Sequence, residues 1–146
     1  MSRRLNSRFA KIDDCPLLAQ LNQQLIQDES HSNPMTAVEL ERRMRDWLGG
    51  EYQAVIFEEA GQVVAYGLYK EQPDEIHLRQ FFVVRNRRRQ GIGRRAIEIL
   101  RFEVWPKSKR LTVEVLVANL PAAAFWRSVG YKDYSLRLEI LQENKS

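Results

Sequence analysis

The feature that most restricts this sequence is the run Arg88-Arg89-Gln90-Gly91-Ile92-Gly93. It stands between a β-rich stretch, Ile76–Val84, and helical spacing at Ile92, Ala96, Leu100 and Val104. A glycine carries no Cβ, so the chain there can take unusual φ/ψ and let a ligand approach the backbone closely. The first turn of a helix offers unpaired N–H groups and the positive end of the helix dipole, both suited to a phosphate or pyrophosphate. Arginine forks match phosphate oxygens. A Gly-x-Gly pair at a helix start also arises from close helix–strand packing alone, and at this level both readings stand. Charge is concentrated here too: six arginines fall between Arg85 and Arg95, whereas Asp28, Glu29, Glu39 and Glu41 lie in the first third.

The surrounding pattern is readable as elements. Asp13 or Asp14 can cap a helix that carries Pro16 in its first turn, where a missing N–H is harmless. Leu17, Leu21 and Leu25, with Leu18 beside them, give that helix one buried stripe. Glu29-Ser30-His31-Ser32-Asn33-Pro34 reads as a loop. Thr36-Ala37-Val38-Glu39 is a capping box that opens a second helix, with Met35 and Leu40 as its hydrophobic staple. Its stripe is Leu40, Met44, Trp47 and Leu48, and Gly49-Gly50 ends it. Gln53–Phe57 and Val63–Tyr69 form a hairpin through Gly61, and Ile76–Val84 is a third strand. Pro106 closes the following helix, Leu111–Val117 reads as a buried strand, Pro121 opens a short helix that Gly130 ends, and Tyr134–Ile140 alternates as a last strand. The order is helix, helix, three strands, helix, strand, helix, strand, which is an α/β (mixed α+β) fold in one domain over residues 1–146.

Composition excludes several classes. No apolar run approaches the roughly 20 residues that span a bilayer, so no membrane partner is expected. The basic start, Met1-Ser2-Arg3-Arg4, is not followed by an apolar stretch able to act as a secretory signal. A single cysteine, Cys15, cannot form an internal disulfide and sits in no catalytic signature; the expected location is the cytoplasm. Two histidines and one cysteine give no metal-ligand spacing, so no metal is expected. The net charge of +4 and pI near 9.4 fit a phosphorylated small molecule, a nucleic acid or an anionic surface.

Two segments together carry a resemblance. Arg88-Arg89-Gln90-Gly91-Ile92-Gly93, with Val83 eight positions before the first glycine, resembles the (Arg/Gln)-x-x-Gly-x-(Gly/Ala) signature of the GNAT superfamily of N-acetyltransferases. Asn119-Leu120-Pro121-Ala122-Ala123-Ala124-Phe125-Trp126-Arg127-Ser128-Val129-Gly130-Tyr131 resembles the same family's segment of asparagine, alanine, an apolar–aromatic pair and Gly-aromatic. The element order from Asp13 to Ile140 follows the family's. No Gly-Lys-Ser/Thr follows for a P-loop, and the third glycine of a dinucleotide fingerprint is absent.

The resemblance implies a central mixed, mostly antiparallel, splayed sheet flanked by helices, with acetyl-CoA entering between Ile76–Val84 and Leu111–Val117. It implies that main-chain groups at Phe82, Val83 and Val84 bind the pantetheine arm, and that Arg88, Arg89, Gln90, Gly91, Ile92, Gly93 and Arg94 hold the pyrophosphate. Asn119 and Trp126 would contact the cofactor arm, with Phe125 an ordinary core residue. The implied reaction is direct attack of a substrate amine on the thioester. A lysine-like amine has a pKa near 10.4, so only about one molecule in a thousand is neutral at pH 7 and a base must remove a proton. His77 occupies the position where many members carry a glutamate base, and a neutral imidazole can serve. Trp126 stands where members often have a tyrosine acid; a thiol with pKa around 8.5 leaves readily without one. Tyr131 and Tyr134 are candidate substitutes.

The loop after the first helix flanks the acceptor site in this family, so Asp28, Glu29 and His31 are expected to bind substrate. Arg79, inside an apolar strand, is expected either to pair with those carboxylates or to meet an acidic group on the substrate. The acceptor is a small-molecule or peptide amine of unspecified identity, and a homodimer is the default assembly. Two other readings remain at this level: a non-catalytic acyl-CoA sensor of the same fold, and a nucleic-acid-binding module using the arginines. The second leaves the glycine spacing and the Asn119–Tyr131 segment unexplained.

Overall fold

The computed structural model describes residues 4–29 and 33–143. Its element order is β1 (Leu5–Phe9), α1 (Cys15–Asp28), α2 (Ala37–Gly49), β2 (Tyr52–Glu59), β3 (Gln62–Glu71), β4 (Glu75–Val83), α3 (Ile92–Ile99), β5 (Arg110–Val113) and α4 (Leu120–Ser128). The strands form one mixed sheet in the order β1-β2-β3-β4-β5, antiparallel except for the β4–β5 pair. Helices cover both faces. Leu18 and Leu21 of α1 and Met44 of α2 pack on Ile56, Tyr66, Leu68 and Phe82. Ile92, Ala96 and Ile97 of α3 and Phe125 and Trp126 of α4 pack on Phe57, Ala65, Ile76 and Leu78 from the other side.

Local signals act as the sequence predicts in most places. Thr36 Oγ1 accepts from the Glu39 N–H at 3.2 Å, and the Thr36 N–H donates to Glu39 Oε1 at 3.0 Å, so the capping box forms at α2. Leu40 and Met44 are buried on its inner face, with Trp47 and Leu48 at the margin. The β2–β3 hairpin turns through Ala60 and Gly61, both with positive φ (52° and 77°). This is the backbone twist a two-residue connection requires. The α3 helix loosens after Ile99 into one π-turn, Leu100–Val104, before Pro106.

Three expectations change. Leu5–Phe9 is a strand: it pairs with Val55–Glu59 through its backbone, and only Leu5 is buried, so no alternation marked it. The Leu111–Val117 strand shrinks to Arg110–Val113, because only Glu75–Leu78 of β4 run beside it. Tyr134–Ile140 is not a strand of this sheet; Leu136, Leu138 and Ile140 are 67–85% exposed. Alternating apolar residues define a face, but a strand also needs a partner for its N–H and C=O groups.

The parting of β4 from β5 shapes the molecule. The two strands pair from Glu75↔Arg110 to Leu78↔Val113 and then separate, although β4 continues to Val83. At the same point the β3–β4 register shifts, with Tyr69 opposite Leu78 but Leu68 opposite Gln80, so Arg79 is the extra residue of a bulge. A bulge adds local twist and re-aims side chains. Beyond Leu78 and Val113 the two parallel strands are no longer paired, which leaves an opening between them.

Thr36→Ala removes one arm of the capping box, and we expect a loss of about 1 kcal/mol in urea-induced unfolding.

Candidate functional site

At the mouth of that opening, β4 gives way to a turn and then to α3. The Val84 N–H donates to Val64 O at 2.9 Å, fixing the strand's end, and a 3₁₀ turn follows at Arg85–Arg87. Arg89 (φ 63°) and Gly91 (φ 78°) then take left-handed conformations, and Gly91 is the N-cap residue of α3. A Cβ on Gly91 would meet nothing within 4 Å, so glycine is there for its φ. Gly93 differs: a Cβ would lie 3.1 Å from the Phe125 ring, so glycine there admits Phe125 beneath the helix. Each sequence reading of the pair thus applies to one glycine. The N–H groups of the first turn of α3, after its N-cap Gly91, have no preceding helical turn to donate to. They converge with the positive end of α3, as an anion such as a pyrophosphate requires.

The arginines around this turn are mostly committed. Arg87 and Arg95, one on each shoulder, both bind the carboxylate of Glu59, which is buried at the end of β2. Arg85 and Arg88 both bind Asp28 at the end of α1, Arg85 at 2.7 Å. Arg88 Nε also donates to Val83 O at 2.9 Å, and Arg94 donates to Ser128 O at 3.0 Å. Among the described residues Arg89 and Arg94 have no carboxylate partner. Four of the six arginines a nucleic-acid surface would need are therefore engaged internally, two on each of two carboxylates.

This corrects the expectation for Asp28. Its carboxylate is engaged by Arg85 and Arg88 and ties α1 to the turn between β4 and α3. Burial raises its pKa, but Arg88 and Arg85 outweigh that and hold it below the usual carboxylate range. Glu29 caps α1 through its N–H to Leu25 O at 3.0 Å and is exposed. His31 lies outside the described residues. Arg79 does not pair with Asp28 either. It donates to the Tyr52 hydroxyl at 3.3 Å and lies over the Trp47 ring, on the α2 side of the sheet.

His77 stands opposite Thr112 in the last stretch where β4 and β5 pair. Its Nδ1 is 2.8 Å from Thr112 Oγ1, and that hydroxyl donates to Glu75 Oε2 at 2.8 Å. A hydroxyl has one hydrogen, so Thr112 must accept from His77. The neutral ring therefore carries its proton on Nδ1 and leaves the Nε2 lone pair available. The chain Glu75–Thr112–His77 orients this imidazole, and spacing alone did not reveal Thr112.

The remaining expected residues divide. Beyond Leu78, β4 has no partner from β5, so Phe82, Val83 and Val84 border the opening. Val84 N–H and Val83 O are already engaged, and the Phe82 ring is buried toward α1. Asn119 is the N-cap of α4, its Oδ1 accepting from the Ala122 N–H at 3.3 Å. Trp126 is part of an aromatic cluster, 5.0 Å from Phe125, 5.6 Å from Phe81 and 5.4 Å from Tyr131 between ring centroids. The Tyr131 hydroxyl is buried without a hydrogen-bond partner among the described residues, and burial pushes its pKa up to about 12. Tyr134 lies against Arg110 at the start of β5. Cys15 is fully buried, and burial raises its thiol pKa, which leaves it inert. Among the described residues no group of three His, Cys, Asp or Glu could hold a metal ion, and no helix is long and apolar enough to cross a membrane.

Glu59 was not visible in the sequence, because a glutamate at a strand end beside a turn is ordinarily solvated. With 4% of its side chain exposed, it differs from its neighbour Glu58, whose side chain is 27% exposed in its pair with Arg8. Glu59→Gln leaves Arg87 and Arg95 near solvent, so the loss is that of charged hydrogen bonds, about 2 kcal/mol. Glu58→Gln should cost under about 1 kcal/mol; urea unfolding of both variants checks the contrast.

The family model for GNAT acetyltransferases matches residues 18–131. No curated protein matches the sequence. Solved structures match the fold over nearly full length. An aminoglycoside N-acetyltransferase, AAC(6')-Iy, in complex with CoA superposes with a TM-score of 0.77 at 11% identity, covering 99% of this chain and 98% of that one. A ribosomal-protein-alanine N-acetyltransferase from Brucella melitensis biovar Abortus 2308 gives 0.76 at 13% identity, covering 94% and 100%. A predicted acetyltransferase from Clostridium acetobutylicum, solved with acetyl-CoA, gives 0.71 at 18% identity, covering 94% and 96%. The family model runs through the turn between β4 and α3 and on to Tyr131, and so this chain belongs to the GNAT acetyltransferase family and is an acetyl-CoA-dependent acetyltransferase.

Proposed function

We propose that the protein transfers an acetyl group from acetyl-CoA to a primary amine of a small molecule or peptide, by direct attack within a ternary complex. The observation that carries this reading is the opening between β4 and β5. It has the N–H groups of the first turn of α3 at its mouth and, at its apex, an imidazole with a free Nε2. On this reading the N–H groups from Arg89 to Arg94, with the Arg89 and Arg94 side chains, hold the pyrophosphate, and the free edge of β4 past Leu78 guides the pantetheine arm.

The thioester supplies an activated acyl carbon and a thiolate leaving group. The amine nitrogen forms the new C–N bond as the C–S bond breaks, and one proton must leave the nitrogen. His77 Nε2 takes it, while Thr112 and Glu75 hold the ring in place. A thiolate needs no proton to depart, so Trp126 in place of an acid is compatible with turnover.

We also read the working form as a homodimer. Support comes from the outer edge of β5, unpaired among the described residues, and from the segment 134–140 of the same chain, whose apolar residues are exposed. An open edge and an unpaired alternating segment are complementary between two copies, as in strand exchange. Light scattering should give twice the 17.2 kDa of one chain, and Leu138→Glu should halve that mass; a monomeric intact chain excludes the dimer.

The central test is His77→Gln. Acetyl-CoA at a hundred times its Kd should still stabilise this variant by roughly 2.7 kcal/mol in thermal unfolding. Its kcat should fall by about a hundredfold or more, and the acid limb of the pH–rate profile should disappear. An unchanged profile would remove His77 from the mechanism.

A further inference from the structure

On the α2 side of the sheet, two arginines share one indole. The guanidinium carbon of Arg43, on α2, is 4.4 Å from the Trp47 ring centroid, and that of Arg79, at the β4 bulge, is 5.0 Å from it. Arg79 also lies 5.8 Å from the Tyr52 ring centroid, and its one hydrogen bond within the described chain is to the Tyr52 hydroxyl. The ion pairs of the described residues bypass both arginines. Arg43 Nε is buried with no acceptor among the described residues.

This is an unusual use of charge. Two like cations are held close together, one partly buried, with aromatic faces for company and no carboxylate between them. Cation–π contacts stabilise a guanidinium from above but leave its in-plane donors unmet. Burial and the neighbouring Arg79 both push the Arg43 pKa down, so the cost of the arrangement falls on the charged form. Elsewhere the chain pairs its clustered arginines with Glu59 and Asp28; here it does not. The unmet donors fit a planar or tetrahedral oxyanion.

The location is equally specific. Arg79 is the residue immediately after the last β4–β5 pair, at the apex of the opening. The α2 face that it reaches also carries Tyr66, whose hydroxyl donates to Gln80 Oε1 at 2.9 Å on the next residue of β4. The turn after β4 leads into α3, on the opposite face of the sheet.

We infer that Arg43 and Arg79 form a recognition site for an anionic oxygen group on the acceptor, so that the substrate is an amine that also carries a carboxylate or a phosphate. This rests on the acetyl-transfer reading above for the side from which the amine enters. It separates this chain from enzymes whose acceptors are purely polycationic.

The test uses matched acceptors at saturating acetyl-CoA, with release of the CoA thiol as readout. One pair is an α-amino acid and its amide; the other is an aminoalkyl phosphate and the corresponding amino alcohol. The anionic member of at least one pair should have a kcat/KM higher by about tenfold or more, as charged hydrogen bonds imply, with the difference mainly in KM. The pair showing the larger ratio identifies carboxylate or phosphate as the group. Arg79→Gln, at an exposed position, should bring that ratio within about twofold while leaving the KM for acetyl-CoA unchanged. Arg43→Gln should act in the same direction. A parallel arm does not depend on turnover: with CoA saturating, succinate or inorganic phosphate should stabilise the wild type thermally but not Arg79→Gln. Equal or better use of the neutral members, or a preference that survives Arg79→Gln, overturns the site. If no amine is acetylated and acetyl-CoA gives no thermal shift, the acetyl-transfer reading itself fails. The succinate and phosphate arm then still decides whether the two arginines bind an anion.

Discussion

The turn between β4 and α3 is held in shape by one buried carboxylate. Glu59 reaches from the end of β2 to Arg87 on one shoulder and Arg95 on the other. Six arginines in eleven residues would otherwise repel one another and splay the turn toward solvent. A buried charge is expensive, and its attraction to a partner often does no more than offset the desolvation. What the arrangement provides is geometry: with both shoulders anchored to a central strand, the left-handed residues Arg89 and Gly91 are set in one conformation.

The opening between β4 and β5 depends on a second constraint. A parallel pair that continued past Leu78 would satisfy the backbone of β4 and close the sheet. The bulge at Arg79 prevents this by shifting the β3–β4 register and turning the strand away. One irregularity therefore accompanies the end of β4–β5 pairing, leaves that edge of β4 unpaired among the described residues, and sets Arg79 over Trp47. The same strand carries His77 just before the bulge, so this imidazole and the opening are adjacent by construction.

Charge in this protein is informative only after its pairing is known. The sequence offered a basic stretch and a scattering of acids, and a reader would assign the acids to an amine and the arginines to phosphates. In the structure Asp28 and Glu59 each hold two of those arginines, and Arg43 and Arg79, which have no carboxylate partner among the described residues, are found on the other face. Contacts across dozens of residues decide which charges remain available, and one-dimensional clustering does not encode them.

Local physics was legible in the chain itself. The capping box at Thr36, the Gly61 hairpin turn, the helical stripes and the strand–turn–helix at Gly91 each follow from interactions within a few residues, and the family signature rests on the same short segments. Tertiary structure decided the rest. It made Leu5–Phe9 a strand, because β2 supplied a partner, and left Tyr134–Ile140 unpaired. It split the glycine pair into one residue chosen for φ and one chosen for Phe125. It selected the tautomer of His77 through Thr112, thirty-five residues away. Backbone pairing, burial and the sharing of a single hydroxyl proton are properties of neighbours in space, and a sequence lists neighbours only along the chain.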